Sequence, residues 1–174
     1  MSWTKEKNIR NAGHWLARAI ELIELKDYQK RNGTVPTIYR GGVFNVELGE
    51  GNLGGEKNKR RPYLIISRNQ LNSGDTVVLI PLTTKFKYNL VKGVKTPKYK
   101  NHYILLKSKY PFLNEDSCVK FEDIKTVDKV RIGEHLGNID VKDLDLMRNR
   151  LLFAMGFLNL IYLKPIILTH WLTV

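Results

Sequence analysis

The chain has 174 residues, 43% apolar and 26% charged, with one cysteine, Cys118. That length supports one domain with an appendage, and a lone cysteine excludes a disulfide framework or a cysteine-built zinc site within one chain. The net charge of +12 is concentrated: residues 57–109 hold thirteen Lys or Arg against one acid, Asp75, and the remainder is balanced. Such a block points to a polyanionic partner, against the alternative of a surface that only keeps the protein soluble.

Lys5, Glu6, Lys7 and Arg10 leave no apolar run for a secretory signal, and a reducing, cytoplasmic setting is expected. Residues 5–32 read as one amphipathic helix. Ala12, Trp15, Leu16, Ala19, Ile20 and Ile23 recur at three- and four-residue steps. Asn32-Gly33, with Pro36 beyond, is its stop. Its apolar stripe is expected to pack on the rest of the chain or on a dimer mate. His14, Trp3 and Trp15 read as packing residues. After a linker over Thr34–Tyr39 the period changes. Val43–Val46 is a short strand and Gly49–Arg60 a loop. Pro62–Ser67 is a strand apolar enough to be buried on both faces. Thr76–Leu82 is its antiparallel neighbour across the turn at Asn72-Ser73-Gly74-Asp75. Lys85–Asn101 reads as a long polar loop. Short strands follow at His102–Leu106, Ser117–Lys120, Ile124–Thr126 and Gly133–Leu136, with a helical turn at Asp128–Arg131. A closing helix is capped by Asp140, with Asp143 in its first turn and a core stripe of Leu144, Met147, Leu151, Met155 and Leu158. Leu151–Val174 has the apolarity of a membrane span, but Lys164-Pro165, Gly156 and Asn159 interrupt it, so no membrane association is expected. These elements predict a mostly-β fold, a small closed antiparallel barrel with one helix at each end of the chain.

The chain has no Walker-type phosphate loop and no dinucleotide fingerprint. Its four histidines, His14, His102, His135 and His170, lack metal-ligand spacing, so neither a metal nor any other cofactor is expected. The segment Gly55-Glu56-Lys57-Asn58-Lys59-Arg60-Arg61-Pro62 is more informative. It sets four cations before a buried strand, and Pro62 biases Arg61 toward extended geometry. A guanidinium at the mouth of a rigid strand can fork onto a phosphate; pairing with Glu56 in a structural salt bridge is the alternative, and both can hold. Ile80-Pro81-Leu82-Thr83-Thr84 ends the next strand with two hydroxyls, which either cap a turn or bond a phosphoryl oxygen. Residues 85–109 hold eight lysines and no acid, with Tyr88, Tyr99 and Tyr103 among them. Lysines can follow a phosphate backbone while rings stack on unpaired bases.

Four pieces now stand in order: Gly41-Gly42-Val43-Phe44; Gly55-Glu56 with Arg61-Pro62-Tyr63-Leu64-Ile65-Ile66-Ser67; Ile80-Pro81-Leu82-Thr83; and Asp116-Ser117 with Glu122–Ile132. Over residues of about 40–160 they resemble the PemK/MazF toxins of bacterial toxin–antitoxin pairs. The resemblance implies an SH3-like barrel with a C-terminal helix, usually a homodimer, that cuts single-stranded mRNA at short sequences. It also implies neutralisation by a cognate antitoxin, and operator DNA as a partner of the pair. The family's catalytic arginine falls on Arg61 and its catalytic threonine on Thr83. Its loop glutamate falls on Glu56, and an RNA-binding position on Asp123. With the neighbouring polar residues, the expected RNA-binding set is Glu56, Lys57, Lys59, Arg60, Thr84, Lys85, Lys87 and Asp123. Gly42 departs from the pattern, since the family often has Asp there. The expected division is an N-terminal extension over 1–39, the barrel over 40–161 and a tail over 162–174. The chemistry expected is metal-independent attack of the RNA 2′-hydroxyl, leaving a 2′,3′-cyclic phosphate and a 5′-hydroxyl. A gyrase poison of the same shape, or a DNA-binding module that does not cut, are the competing readings.

Overall fold

The computed structural model describes residues 5–49 and 60–157. Helix α1 spans Lys5–Asn32, with the bounds its pattern predicts. Strand β1 is Gly42–Glu47, β2 Arg60–Ile65 and β3 Thr76–Thr83. A small hairpin follows, β4 at Tyr88–Val91 and β5 at Val94–Pro97. Then come β6 at His102–Leu105, β7 at Ser117–Lys120, β8 at Lys125–Asp128, β9 at Ile132–Asn138 and helix α2 at Val141–Ala154.

The main sheet has seven strands in the order β6-β7-β3-β2-β1-β9, with β8 as an additional partner of β3, and all its pairings are antiparallel. Strand β3 organises it. One edge pairs with β2 through Tyr63↔Pro81, Leu64↔Ile80 and Ile65↔Leu79. The other edge pairs first with β8, over Thr76–Leu79, and then with β7, over Leu82 and Thr83. The change of partner falls at Ile80-Pro81, where proline has no N–H to offer. The barrel expected to be closed is therefore an open, bent sheet: β6 and β9 are its edges, and no ladder joins them among the described residues. Irregular register between β1 and β9, on either side of Phe44, adds to the bend.

Both faces of the central strands are buried, as the run Tyr63-Leu64-Ile65 requires; all three are fully inaccessible. Alternation sends them to two cores. Leu64, Ile80, Leu82, Val119 and Leu105 face Leu144 and Met147 of α2, while Tyr63, Ile65, Leu79, Val46 and Val127 fill the second core.

Three expectations need correction. Lys85–Asn101 is not one loop, because the Tyr88-Asn89-Leu90-Val91 and Val94-Lys95-Thr96-Pro97 segments pair across Lys92-Gly93, both at positive φ (51° and 78°). That is the twist a two-residue hairpin turn demands. The α2 stripe stops early: the helix ends at Ala154, Met155 is exposed, and Leu158 lies outside the described residues. The α1 stripe is largely turned outward. Leu16 is 65%, Ile20 52% and Ile23 64% exposed, while Trp15, Ala19 and Leu22 face the sheet. The cause is the surface that α1 meets, which is charged. Arg18 forks onto Glu47 at 3.1–3.2 Å, Lys26 pairs with Asp128, and Lys30 with Asp75 at 2.9 Å. Arg131 lies over the Trp15 ring at 5.0 Å. Gly49 (φ +93°) packs directly against that ring, where a side chain would collide with it. His14 is exposed, and Trp3 lies outside the described residues.

Asp140 sits in N-cap geometry without a side-chain cap bond; its carboxylate pairs with Lys109 at 3.1 Å. Asp143 is buried rather than free at the helix start. It accepts from Lys109 Nζ at 2.8 Å and from the Tyr110 hydroxyl at 2.7 Å.

Candidate functional site

Arg61 lies across from Val46 on one side of β2. On the other side, the β2–β3 register carried outward from Tyr63↔Pro81 sets Arg61 opposite Thr83. Residues opposed in an antiparallel pair project from the same face, with Cβ atoms about 5 Å apart. Pro62 between Tyr63 and Arg61 offers no N–H, and Thr83 is already bonded to β7 across from Cys118. The guanidinium and the hydroxyl therefore emerge side by side at the rim of the second core, both half-buried.

Thr83 makes the turn contact that its position allows. Its Oγ1 accepts from the Lys85 backbone N–H at 3.2 Å, which turns the chain, and its own hydrogen remains available to donate. Beneath the pair lies Tyr63, fully buried, whose hydroxyl has no hydrogen-bond partner among the described residues. Burial pushes its phenol up to about 12; the Arg61 charge opposes the shift and the Asp123 charge adds to it. Tyr63 thus remains a neutral hydroxyl at any ordinary pH. That both charges act on it places Asp123, at the end of the short turn Phe121–Asp123, in the same neighbourhood as Arg61.

Thr84, Lys85 and Lys87 continue along the exposed rim beyond Thr83. Arg60 does not join them. Strand alternation turns it to the opposite face, across from Glu47 and against Gly133, beside Arg18 and Arg131 under α1. Glu56, Lys57 and Lys59 lie outside the described residues. The basic block is also less free than its composition suggests. Lys95 is paired with Asp116 at 2.6 Å, and Lys109 with Asp140 and Asp143.

Sequence reasoning missed Tyr63 as part of the site. Its signal was available: one aromatic hydroxyl in an otherwise aliphatic strand. His102 is buried, with Nε2 2.8 Å from Glu122 Oε1. Cys118, next to the site across from Thr83, is a buried thiol pushed up to about 12 by desolvation, so it does not ionise to a nucleophile near neutrality. Among the described residues no three His, Cys, Asp or Glu side chains converge as metal ligands, and no helix is long and apolar enough to cross a membrane.

A guanidinium and a hydroxyl at the ends of neighbouring strands, with lysines along the rim, are groups that can hold a phosphodiester. Known proteins share the frame. The chain is 29% identical over 122 residues to the endoribonuclease MazF of Staphylococcus epidermidis, covering 70% of this chain and 94% of that one. Its fold matches MazF from Deinococcus radiodurans with a TM-score of 0.55 at 20% identity, over 70% of this chain and 98% of that one. It matches a mycobacterial endoribonuclease solved in complex with its cognate antitoxin with a TM-score of 0.54 at 24% identity, over the same shares. Residues 39–155 fit the family model of the PemK-like, MazF-like toxins, and the chain belongs to that family of type II toxin–antitoxin toxins.

Proposed function

We propose that this protein is a toxin endoribonuclease that cuts single-stranded RNA without a metal, using Arg61 and Thr83, and that a cognate antitoxin neutralises it. What supports the reading is the β2–β3 register: continued two residues beyond Tyr63↔Pro81, it sets Arg61 opposite Thr83, both half-buried. RNA brings its own nucleophile. The 2′-oxygen forms a bond to the adjacent phosphorus, the bond from phosphorus to the 5′-oxygen breaks, and a 2′,3′-cyclic phosphate and a 5′-hydroxyl result. The 2′-hydroxyl proton leaves to solvent, and the departing 5′-oxygen takes one from solvent. Arg61 stabilises the charge gathering on the phosphoryl oxygens, and Thr83 donates to one of them. No step asks Arg61 to take or give a proton. Asp123, Thr84, Lys85 and Lys87 contact the RNA strand, and Glu56, Lys57 and Lys59 add to that set. Dimerisation, a cytoplasmic setting and operator binding with the antitoxin belong to the same reading.

The test is incubation of the protein with RNA in EDTA, followed by mapping of the 5′ ends. Wild type is expected to leave discrete 5′-hydroxyl ends. Arg61→Ala, folded by circular dichroism, is expected to lose about a hundredfold or more in rate, the usual cost of one preorganised donor. RNA carrying 2′-deoxyribose at the mapped site should bind and survive; its cleavage would refute the mechanism. Binding of RNA without any cutting, in wild type, would favour the non-cleaving reading.

A further inference from the structure

Helix α1 is seated along only part of its length. Its contacts with the rest of the fold begin at Trp15, which meets Gly49 and Arg131, and run through Arg18, Leu22 and Lys26 to Lys30. Before Trp15 the helix projects. Glu6, Ile9, Arg10, Ala12, Gly13 and His14 are exposed, and a side chain added at Gly13 would meet nothing within 4 Å outside the helix backbone. The two faces of α1 differ over this projecting part. The seated line, carried back from Lys26, Leu22 and Trp15, reaches the polar Asn11. The outward line carries back from Ile23, Ile20 and Leu16 to Ala12 and Ile9, and Ile9 is 62% exposed. An unbroken apolar stripe, about 22 Å long, therefore runs from the seated part of the helix onto the projecting part.

We propose that this stripe pairs with the same stripe of a second copy of the chain, α1 against α1 in antiparallel, about a twofold axis at Leu16. Ile9, Ala12, Leu16, Ile20 and Ile23 follow one another at steps of three, four, four and three residues, so the stripe reads the same in both directions from Leu16. Reversed against itself, it sets Ile9 on the partner's Ile23, Ala12 on the partner's Ile20 and Leu16 on the partner's Leu16. That reciprocity is what an isologous interface requires. Space favours the same arrangement. Each sheet lies beneath the seated part of its own helix, so reversal places it beneath the projecting part of the other, and the two bodies stand side by side along the pair. A parallel pair would crowd both beneath the same end. Charge agrees as well. Arg10 and Glu24 are exposed on one flank of the stripe, and neither has an ion pair among the described residues. The antiparallel pair brings Arg10 within about 3 Å of the partner's Glu24 along the axis, whereas a parallel pair leaves them about 21 Å apart. The contact is a strip about 22 Å by 10 Å on each helix, short of the roughly 1,200–2,000 Å² of total surface that a standard stable interface buries. The pair therefore forms at high protein concentration and separates on dilution, and melts of dilute protein do not register Leu16.

Two measurements on the full-length protein test it, and neither depends on the nuclease reading. In the first, sedimentation equilibrium compares wild type with Leu16→Asp, its fold checked by circular dichroism. At about 300 µM wild type is expected to reach at least about twice the mass of the variant, and at about 2 µM the two masses should be equal. Any unit formed through another surface is common to both and cancels in the ratio. Equal masses at both concentrations overturn the pair. In the second, single cysteines are introduced by Leu16→Cys, Ile9→Cys and Ile23→Cys and oxidised with diamide at about 300 µM. Wild type is the blank, since Cys118 is buried. Leu16→Cys should give a covalent dimer. Ile9→Cys and Ile23→Cys should each give none alone, because like positions lie about 21 Å apart, but should crosslink when mixed. A covalent dimer of Ile9→Cys alone would mean a parallel pair, and no crosslink from Leu16→Cys or from the mixture would mean no pair; either result overturns the proposal. Modification of Leu16→Cys by a thiol reagent separates the other occupants. It should be fast at about 2 µM and slow at about 300 µM. Slow modification at both would mean that another part of the same chain covers the stripe. Fast modification at both would mean that the stripe is left for a different protein, and each of these also overturns the second copy.

Discussion

Tyr63 carries a buried hydroxyl that bonds to nothing among the described residues, in a core where every neighbour is apolar or charged at a distance. Leaving such a group unsatisfied costs about 1–3 kcal/mol, so removing it should help the fold. Tyr63→Phe is expected to stabilise the protein by about 1 kcal/mol, raising Tm by about 3 °C for a chain of this size. A fall in Tm of similar size would mean that the hydroxyl has a partner in solution. Asp143 is the opposite case. Burial works against its charge, but the bonds from Lys109 and the Tyr110 hydroxyl outweigh that, and its carboxyl is held below the usual range. A depressed folded value means that the group stabilises above its unfolded pKa of about 4 and loses that contribution as pH falls through the folded value. Asp143→Asn should therefore cost about 2 kcal/mol at pH 7, the worth of a hydrogen bond to a charged group. The gap to wild type should narrow steadily in urea melts taken from pH 5 down to pH 2. A gap that stays constant over that range would show that the carboxylate charge contributes nothing.

At the scale of elements, α1 shows what a pattern can and cannot say. Its bounds were legible because Gly33 and Pro36 stop a helix whatever it packs against. Which face turns inward was not legible, because a moment points toward the apolar stripe, whereas the docking surface of Glu47, Asp75 and Asp128 selects Arg18, Lys26 and Lys30. The hairpin of β4 and β5 was missed for a related reason: neither four-residue strand holds a buried residue, so the core-facing alternation that marks a strand is absent, and only Lys92-Gly93 marks the turn. The site divides in the same way. Arg61 and Thr83 can be singled out in the sequence because each ends an apolar strand, and the β2–β3 register continued past Tyr63↔Pro81 sets them opposite each other. Arg60, named in the same set, stands on the opposite face, because adjacency in sequence means opposite faces in a strand. The inward face of α1 is testable. Leu22, 5% exposed, should cost about 2 kcal/mol when changed to Ala, the low end for a buried leucine. Leu16→Ser on the outward face should change stability by less than about 0.5 kcal/mol. Equal costs at both positions would mean that the outward stripe is covered in solution.

Over the whole molecule, charge decides how tightly a polyanion is held, and the fold redistributes the charge that composition suggests. Of the lysines between 85 and 109, Lys95 and Lys109 are neutralised by acids brought from later in the chain. Lys85 and Lys87 on the rim, with Lys92, Lys98, Lys100 and Lys107, remain exposed. If about four of these meet phosphates, the slope of log affinity against log salt for single-stranded RNA should be about −3, at about −0.7 per contact. Raising salt from 50 to 200 mM should then weaken binding about fiftyfold. Lys85→Ala and Lys87→Ala should each flatten the slope by about 0.7, whereas Lys95→Ala, whose charge is already matched by Asp116, should leave it nearly unchanged. Binding is best read on RNA blocked by 2′-deoxyribose at the cut, so that affinity is measured without turnover. A slope near −6 would mean that every lysine of the block meets RNA and that the Lys95–Asp116 and Lys109–Asp143 pairs open on binding. A slope near zero would mean that the basic block keeps the protein soluble and that its partner is not a nucleic acid.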